Sequence, residues 1–301
     1  MSGHSASRFL GLLTGTVIAL GLGGPPPALA AMSSPSSSPD ASASPTPTPV
    51  PATDPPLAAT VAPSASATPV PNGTPQPTGY THILGLGDSV PAGSGCFCSN
   101  YVTLFGQRLA TAETSRFTVL NLARGGAVSL DILQQVRSSS IGIPTGRVSI
   151  ITVGANDFDE AIVGTPQCRN ALCYLTTLRS VDGSIRAILS SLLHNQAGAS
   201  TGTSAIVLTN YWNIFRDGAA GRSRGPVYVA NNDALTRRVN ALLRYDASVY
   251  RVTYADLYSP FKGTDGRRDD TSFLAADGYH PNAEGHRVIA AVLQRALAHL
   301  A

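Results

Sequence analysis

Five short apolar runs alternate along this chain with longer segments in which apolar residues return every third or fourth position. The runs cover 82–86, 117–122, 148–153, 205–209 and 250–254. They are rich in branched residues and lack polar alternation, which is the pattern of strands covered on both faces. The intervening segments 101–112, 130–136, 175–194, 230–245 and 283–300 carry the period of amphipathic helices. Alternation of this kind predicts an α/β fold in which a central parallel sheet lies between helical layers. Ligands of such sheets bind beyond the carboxyl ends of the strands, so residues just past the strand ends are where chemistry is expected.

Ahead of this region the pattern changes twice. Residues 9–22 form an apolar run of 14 residues behind Arg8, followed by the small-residue triplet Ala28-Leu29-Ala30. That is the layout of an export signal over 1–30, since a membrane-spanning helix needs roughly 20 apolar residues. No cysteine follows the run, which argues against lipid attachment there. Residues 31–79 are dominated by Pro, Ser, Ala and Thr and cannot build a core, so an extended, disordered linker is expected. The remaining span, 80–301, is long enough for one α/β domain with a sizeable core. Export by a bacterial-type signal predicts a secreted or extracellular protein, with the linker suited to a stalk at a cell surface.

Composition narrows the function classes. The chain has 21 Lys and Arg against 18 Asp and Glu, for a net charge of +3, with no basic run. A nucleic-acid surface is therefore disfavoured. The four cysteines, Cys96, Cys98, Cys168 and Cys173, are even in number in a chain that looks exported, which favours two disulfides. Their pairing stays open: bridges between the two loops would brace the rim of a site, and bridges within each loop remain as the alternative. A zinc site made from the same four thiolates is the competing reading.

Four segments past predicted strand ends, or near the C-terminus, carry the candidate chemistry. Gly87-Asp88-Ser89 turns out of the first strand and lifts a serine hydroxyl onto the rim. Asn121 to Gly126 ends in two glycines, and the backbone N–H of Gly126 is accessible at close range. Gly154-Ala155-Asn156-Asp157 offers the Asn156 amide as a donor to an oxyanion. In Asp277-Gly278-Tyr279-His280-Pro281, a carboxylate three residues before an imidazole can hold it in one tautomer. Nucleophile, base, orienting carboxylate and oxyanion donors are the parts that acyl transfer needs. Asp88 and Asp157 read as loop-organising hydrogen-bonders. The chain's Gly-x-Ser-x-Gly, Gly221-Arg222-Ser223-Arg224-Gly225, does not directly follow a predicted strand as the α/β-hydrolase elbow does, and a dinucleotide glycine fingerprint and a phosphate-binding Gly-Lys-Ser/Thr loop are absent from the chain.

These four blocks, in this order, resemble those of the SGNH (GDSL-type) serine esterases and lipases, over nearly the whole span from about residue 82 to the C-terminus. The likeness implies a flavodoxin-like three-layer α/β/α sandwich. It also implies Ser89 as nucleophile and first oxyanion donor, Gly126 and Asn156 as the rest of the oxyanion hole, His280 as general base then acid, and Asp277 as its orienting group. No metal or cofactor belongs to that scheme. Val90 stands where the family's common name has leucine, and Ala123 where a glycine is frequent in the second block; neither removes a catalytic group. The cysteine-bearing loops look similar to those of secreted actinobacterial members. The resemblance implies an ester substrate, either a small molecule, a lipid or an acylated glycan; a monomer is expected, and the oligomeric state stays open. Tyr211, Trp212 and Phe215, which follow the fourth predicted strand, are candidates to line an acyl pocket, and 216–225 for a flap over it. Carboxylester or lipid cleavage is the first expectation, removal of O-acetyl groups from a polysaccharide the second, and a non-catalytic cell-surface binding module the reading from another class.

Overall fold

The computed structural model describes residues 81–114, 116–138, 147–197 and 204–298. The predicted export signal, the predicted linker and the end of the last predicted helix lie outside the described residues. Five strands form a wholly parallel sheet: β1 (His82–Gly87), β2 (Thr118–Asn121), β3 (Arg147–Thr152), β4 (Ala205–Thr209) and β5 (Thr253–Ala255). Their spatial order is β2-β1-β3-β4-β5. The chain thus starts in the middle of the sheet, steps outward once, and returns past β1 to build the other side. Gly85 pairs with Asn121 of β2, and Gly87 pairs with Thr152 of β3. The crevice between β1 and β3, where the winding reverses, is where such folds place their ligands.

Eight helices surround the sheet among the described residues: α1 (Ser89–Ala92), α2 (Tyr101–Glu113), α3 (Ser129–Arg137), α4 (Leu175–Ala197), α5 (Gly218–Arg222), α6 (Pro226–Tyr250), α7 (Tyr258–Lys262) and α8 (Ala283–Ala298). Alternate strand residues point to opposite faces. Leu84, Ile151 and Leu208 pack with Ile132, Ile185 and Val239 of α3, α4 and α6. Their strand neighbours Ile83, Ile150 and Val207 pack on the other side with Phe105 of α2 and Leu293 of α8. This gives three layers and explains why β1, β3 and β4 read as unbroken apolar runs; on the edge strand β2, by contrast, Thr118 and Leu120 are exposed, so that run is not covered on both faces. Each buried Leu, Ile or Phe contributes about 1.5–3 kcal/mol through its removal from water. Asn100 caps α2 by accepting the Thr103 N–H at 3.0 Å, and Asn282 caps α8 by accepting from Glu284 and Gly285 at 2.9 and 3.0 Å. Both caps fix where a site-bearing loop ends.

Candidate active site

The serine-bearing turn is built by close contact between β1 and β3. Gly87 has φ +138°, and a Cβ there would lie 1.9 Å from the Thr152 carbonyl oxygen, so only glycine lets the strand turn away at this point. Asp88 donates its N–H to the same carbonyl at 3.1 Å. Its carboxylate accepts the Val90 N–H at 2.9 Å, capping α1, and the Tyr211 hydroxyl at 2.5 Å. Burial pushes the Asp88 carboxyl up to about 6, although the Tyr211 and Val90 hydrogen bonds pull it down. Asp88 is thus the internal brace of the turn, and Ser89 is left half-buried at the surface beyond it.

Two neighbouring loops are tied to that turn. The Arg124 N–H donates to the Gly87 carbonyl at 2.9 Å, which carries the loop after β2 across the end of β1. Gly126 follows in a left-handed conformation, φ +77°, exposed and with open space where a side chain would stand. After β3, Asn156 occupies a 3-10 turn, Ala155–Asp157, and donates one amide hydrogen to the Ala127 carbonyl at 3.0 Å. An amide has a second hydrogen, free for another acceptor. Asp157 accepts the Ser129 N–H at 2.9 Å and its hydroxyl at 2.7 Å, locking this turn to the start of α3. Burial raises the Asp157 carboxyl, against those two hydrogen bonds.

The imidazole enters from a turn just before α8. His280 Nδ1 lies 2.7 Å from Asp277 Oδ2, while Oδ1 accepts the backbone N–H groups of Tyr279 and His280 at 2.9 and 3.1 Å. Partial burial pushes the Asp277 carboxyl up, but the hydrogen bonds from His280 and the two backbone N–H groups outweigh it and hold it below the usual carboxylate range. The segment 216–225, the flap candidate, folds over this turn as α5 and its flanks. Asp217 donates its N–H to the Gly278 carbonyl at 2.9 Å, and the Arg216 guanidinium lies 4.8 Å from the centre of the Tyr279 ring.

A buried charge cluster underlies that clasp. Lys262 Nζ pairs with Asp217 at 2.5 Å, and Asp270 lies wholly buried with neither carboxyl oxygen hydrogen-bonded. Burial, then the Asp217 charge, push Asp270 up to about 8, with Lys262 opposing. The folded state therefore holds this proton more tightly than an unfolded chain with the ordinary value of 3.8. The resulting stability is complete below about pH 4 and is lost as the pH rises through about 8. Asp270→Asn, neutral at every pH, should raise the melting temperature at pH 8 by several degrees, at about 2–4 °C per kcal/mol, and leave it nearly unchanged at pH 4. Equal shifts at both pH values would show that Asp270 does not titrate in this way.

Ser89, Gly126, Asn156 and His280 all wall one cavity of about 480 Å³. Tyr211, Trp212 and Phe215 are in its walls too, although each is at most 4% exposed and most of its surface is spent in the core. Trp212, for instance, stacks on Phe261 of α7 with ring centres 4.5 Å apart. Sequence reading missed Glu160, Phe158, Ser94 and Tyr279 as further wall residues. For Phe158 and Glu160 the only signal was their position directly after the Asn156 turn.

The cysteines form Cys96–Cys98 and Cys168–Cys173, bridges within each loop and not between them. Among the described residues one grouping brings three metal-binding side chains together: Cys96, Cys98 and His286, with donor atoms within 4.8 Å of one another. Both sulfurs are committed to their disulfide, and His286 Nδ1 accepts the Tyr101 N–H at 3.2 Å. Burial, together with the nearby His280, lowers His286 to about 4, so it behaves as a neutral packing histidine.

Comparison with known proteins agrees with this architecture. The profile of the GDSL-like lipase/acylhydrolase family matches residues 86–288. No curated protein sequence matches the chain. Among solved structures, the lipase Lip_vut3 from a goat rumen metagenome superposes with a TM-score of 0.56 at 18% identity, over 72% of this chain and 97% of that one. LAE5, an alpha/beta hydrolase enzyme from the metagenome of Lake Arreo in Spain, gives 0.50 at 18% identity, over 75% of this chain and 100% of its own. At such identities the likeness is one of fold.

Proposed function

Because this chain belongs to the GDSL-like lipase/acylhydrolase family, and therefore to a family of ester-cleaving enzymes, we propose that it hydrolyses carboxylic esters by a Ser89-His280-Asp277 triad through an acyl-enzyme intermediate. The observation that carries this reading is the shared cavity of Ser89, Gly126, Asn156 and His280, with Asp277 holding His280 Nδ1 at 2.7 Å from outside it.

With Nδ1 engaged, Nε2 is the basic nitrogen. It takes the Ser89 proton as Oγ attacks the ester carbonyl carbon, and the carbonyl π electrons pass to oxygen. The oxyanion receives the N–H groups of Ser89 and Gly126 and the free amide hydrogen of Asn156. Collapse expels the alkoxide, which takes the proton from the imidazolium and leaves as the alcohol. Water then attacks the acyl-serine, giving its proton to Nε2, and the second collapse returns that proton to Ser89 as the acid departs. Asp277 stays ionised and steadies the imidazolium in both halves. The groups named complete every proton and electron transfer, so this scheme calls on no metal or cofactor.

Removing one oxyanion donor typically costs about 10²–10³ in turnover. Asn156→Ala should lose that much in kcat with little change in KM. Asn156 is exposed and, among the described residues, its amide donates to the Ala127 carbonyl, so melting should shift by no more than a few degrees. A kcat within about threefold of wild type would remove Asn156 from the scheme. The signal-like segment 1–30 and the Pro/Ser-rich 31–79 support an exported enzyme held off the cell surface or released from it.

A further inference from the structure

The cavity is not a plain apolar slot. Glu160, in the 3-10 turn Glu160–Ile162 four residues past Asn156, lines it together with Phe158, Ile214, Phe215 and Tyr279. Its two carboxylate oxygens are held separately: Oε1 accepts the hydroxyl of Tyr228, buried on α6, and Oε2 accepts that of Tyr279. Each tyrosine is backed by a guanidinium over its ring, Arg216 at 4.8 Å from the Tyr279 centre and Arg224 at 5.4 Å from the Tyr228 centre. The carboxylate is thereby fixed at the wall of the cavity and cannot swing out to make room for an alkyl chain.

A carboxylate has about four acceptor positions, and the tyrosines fill two. With Glu160 lining the cavity, the other two are assigned to whatever enters. An alkyl chain laid against them strips water from a charge and returns no hydrogen bond, whereas a hydroxyl satisfies them. We propose that Glu160 is the specificity-determining residue of this cavity, selecting esters of short acyl groups with polyhydroxylated alcohols and refusing long alkyl chains. This rests on the serine-esterase reading above and names its substrate class. Nearby Asn213, 93% buried and facing the same cavity, adds to its polar wall.

The test uses matched substrates. Rates would be measured on a monoacetylated methyl glucoside against cyclohexyl acetate, which has the same ring size without hydroxyls, and on p-nitrophenyl acetate against octanoate. Wild type should prefer the sugar acetate by at least about tenfold in kcat/KM, because a site that hydrogen-bonds a hydroxyl rejects the analogue lacking it. Glu160→Leu should cut that preference at least about fivefold and raise the octanoate-to-acetate ratio about tenfold. Since Glu160→Leu strands the buried Tyr228 hydroxyl, Glu160→Gln, which keeps both an acceptor and a donor there, is measured beside it and should show a smaller loss in the same direction, because a neutral amide accepts from a hydroxyl more weakly than a carboxylate does. Unchanged ratios in variants that remain folded and still react with a fluorophosphonate at Ser89 would overturn the proposal alone. A folded wild type that fails to react at Ser89 would overturn the serine-esterase reading and this inference with it.

Discussion

Ser89→Ala should leave a folded protein whose ester hydrolysis is lower than wild type by about 10⁴ or more. The magnitude follows from the parts the variant keeps. Without Oγ there is no acyl-enzyme, and water must attack the ester directly, helped only by His280 and the oxyanion donors; removal of a triad member elsewhere leaves that residual catalysis alone. The Asp88 brace, with its 2.9 Å bond from Val90 and its 2.5 Å bond from Tyr211, does not involve the serine side chain. The turn should hold, and substitution of a half-buried serine should change stability by no more than about 1 kcal/mol. Esterase rates on p-nitrophenyl acetate, beside circular dichroism melts, measure both quantities. Activity within tenfold of wild type would mean another group attacks the ester.

The second large effect is expected at Asp277. In Asp277→Asn the carbonyl oxygen can still accept the Tyr279 and His280 backbone N–H groups, now 2.9 and 3.1 Å from Oδ1, so the turn should survive. The amide nitrogen would then face His280 Nδ1 in place of the carboxylate oxygen at 2.7 Å. An N–H donor there favours the tautomer with its hydrogen on Nε2, which cannot take a proton from Ser89, and the charge that steadied the imidazolium is gone. The loss in kcat should be about 10³–10⁴ near neutral pH. It should shrink at alkaline pH, where hydroxide stands in for the lost base. A pH–rate profile parallel to that of wild type, with a loss under tenfold, would demote Asp277 to a turn former.

How much of this was written in the chain differs from element to element. The strand at 148–153 and the helix at 101–112 were legible because burial on both faces of β3, and on one face of α2, dictates apolar spacing that local sequence carries. The parallel sheet between helical layers followed from alternation alone, and the family and its structural neighbours share that fold. The site blocks could be read because each lies within a few residues of a strand or helix end. What escaped depends on partners far apart in sequence. Glu160 meets Tyr228 68 residues away and Tyr279 119 residues away, and nothing near Glu160 distinguishes it from a surface acid. Asp217 meets Lys262 across 45 residues, and this pair, with the clasp on Gly278, orders a segment whose glycines and arginines read as loose. The disulfides escaped for a different reason: four thiols allow three pairings, and spacing alone does not choose among them.

The central claim is that Ser89 is the nucleophile. The most direct test is to react the folded protein with a fluorophosphonate and locate the adduct by intact mass and peptide mapping. One adduct per chain on the peptide that contains Ser89, blocked by prior incubation with an ester substrate, is the expected result. A folded protein that gains no mass, or gains it on any other residue, would contradict the account.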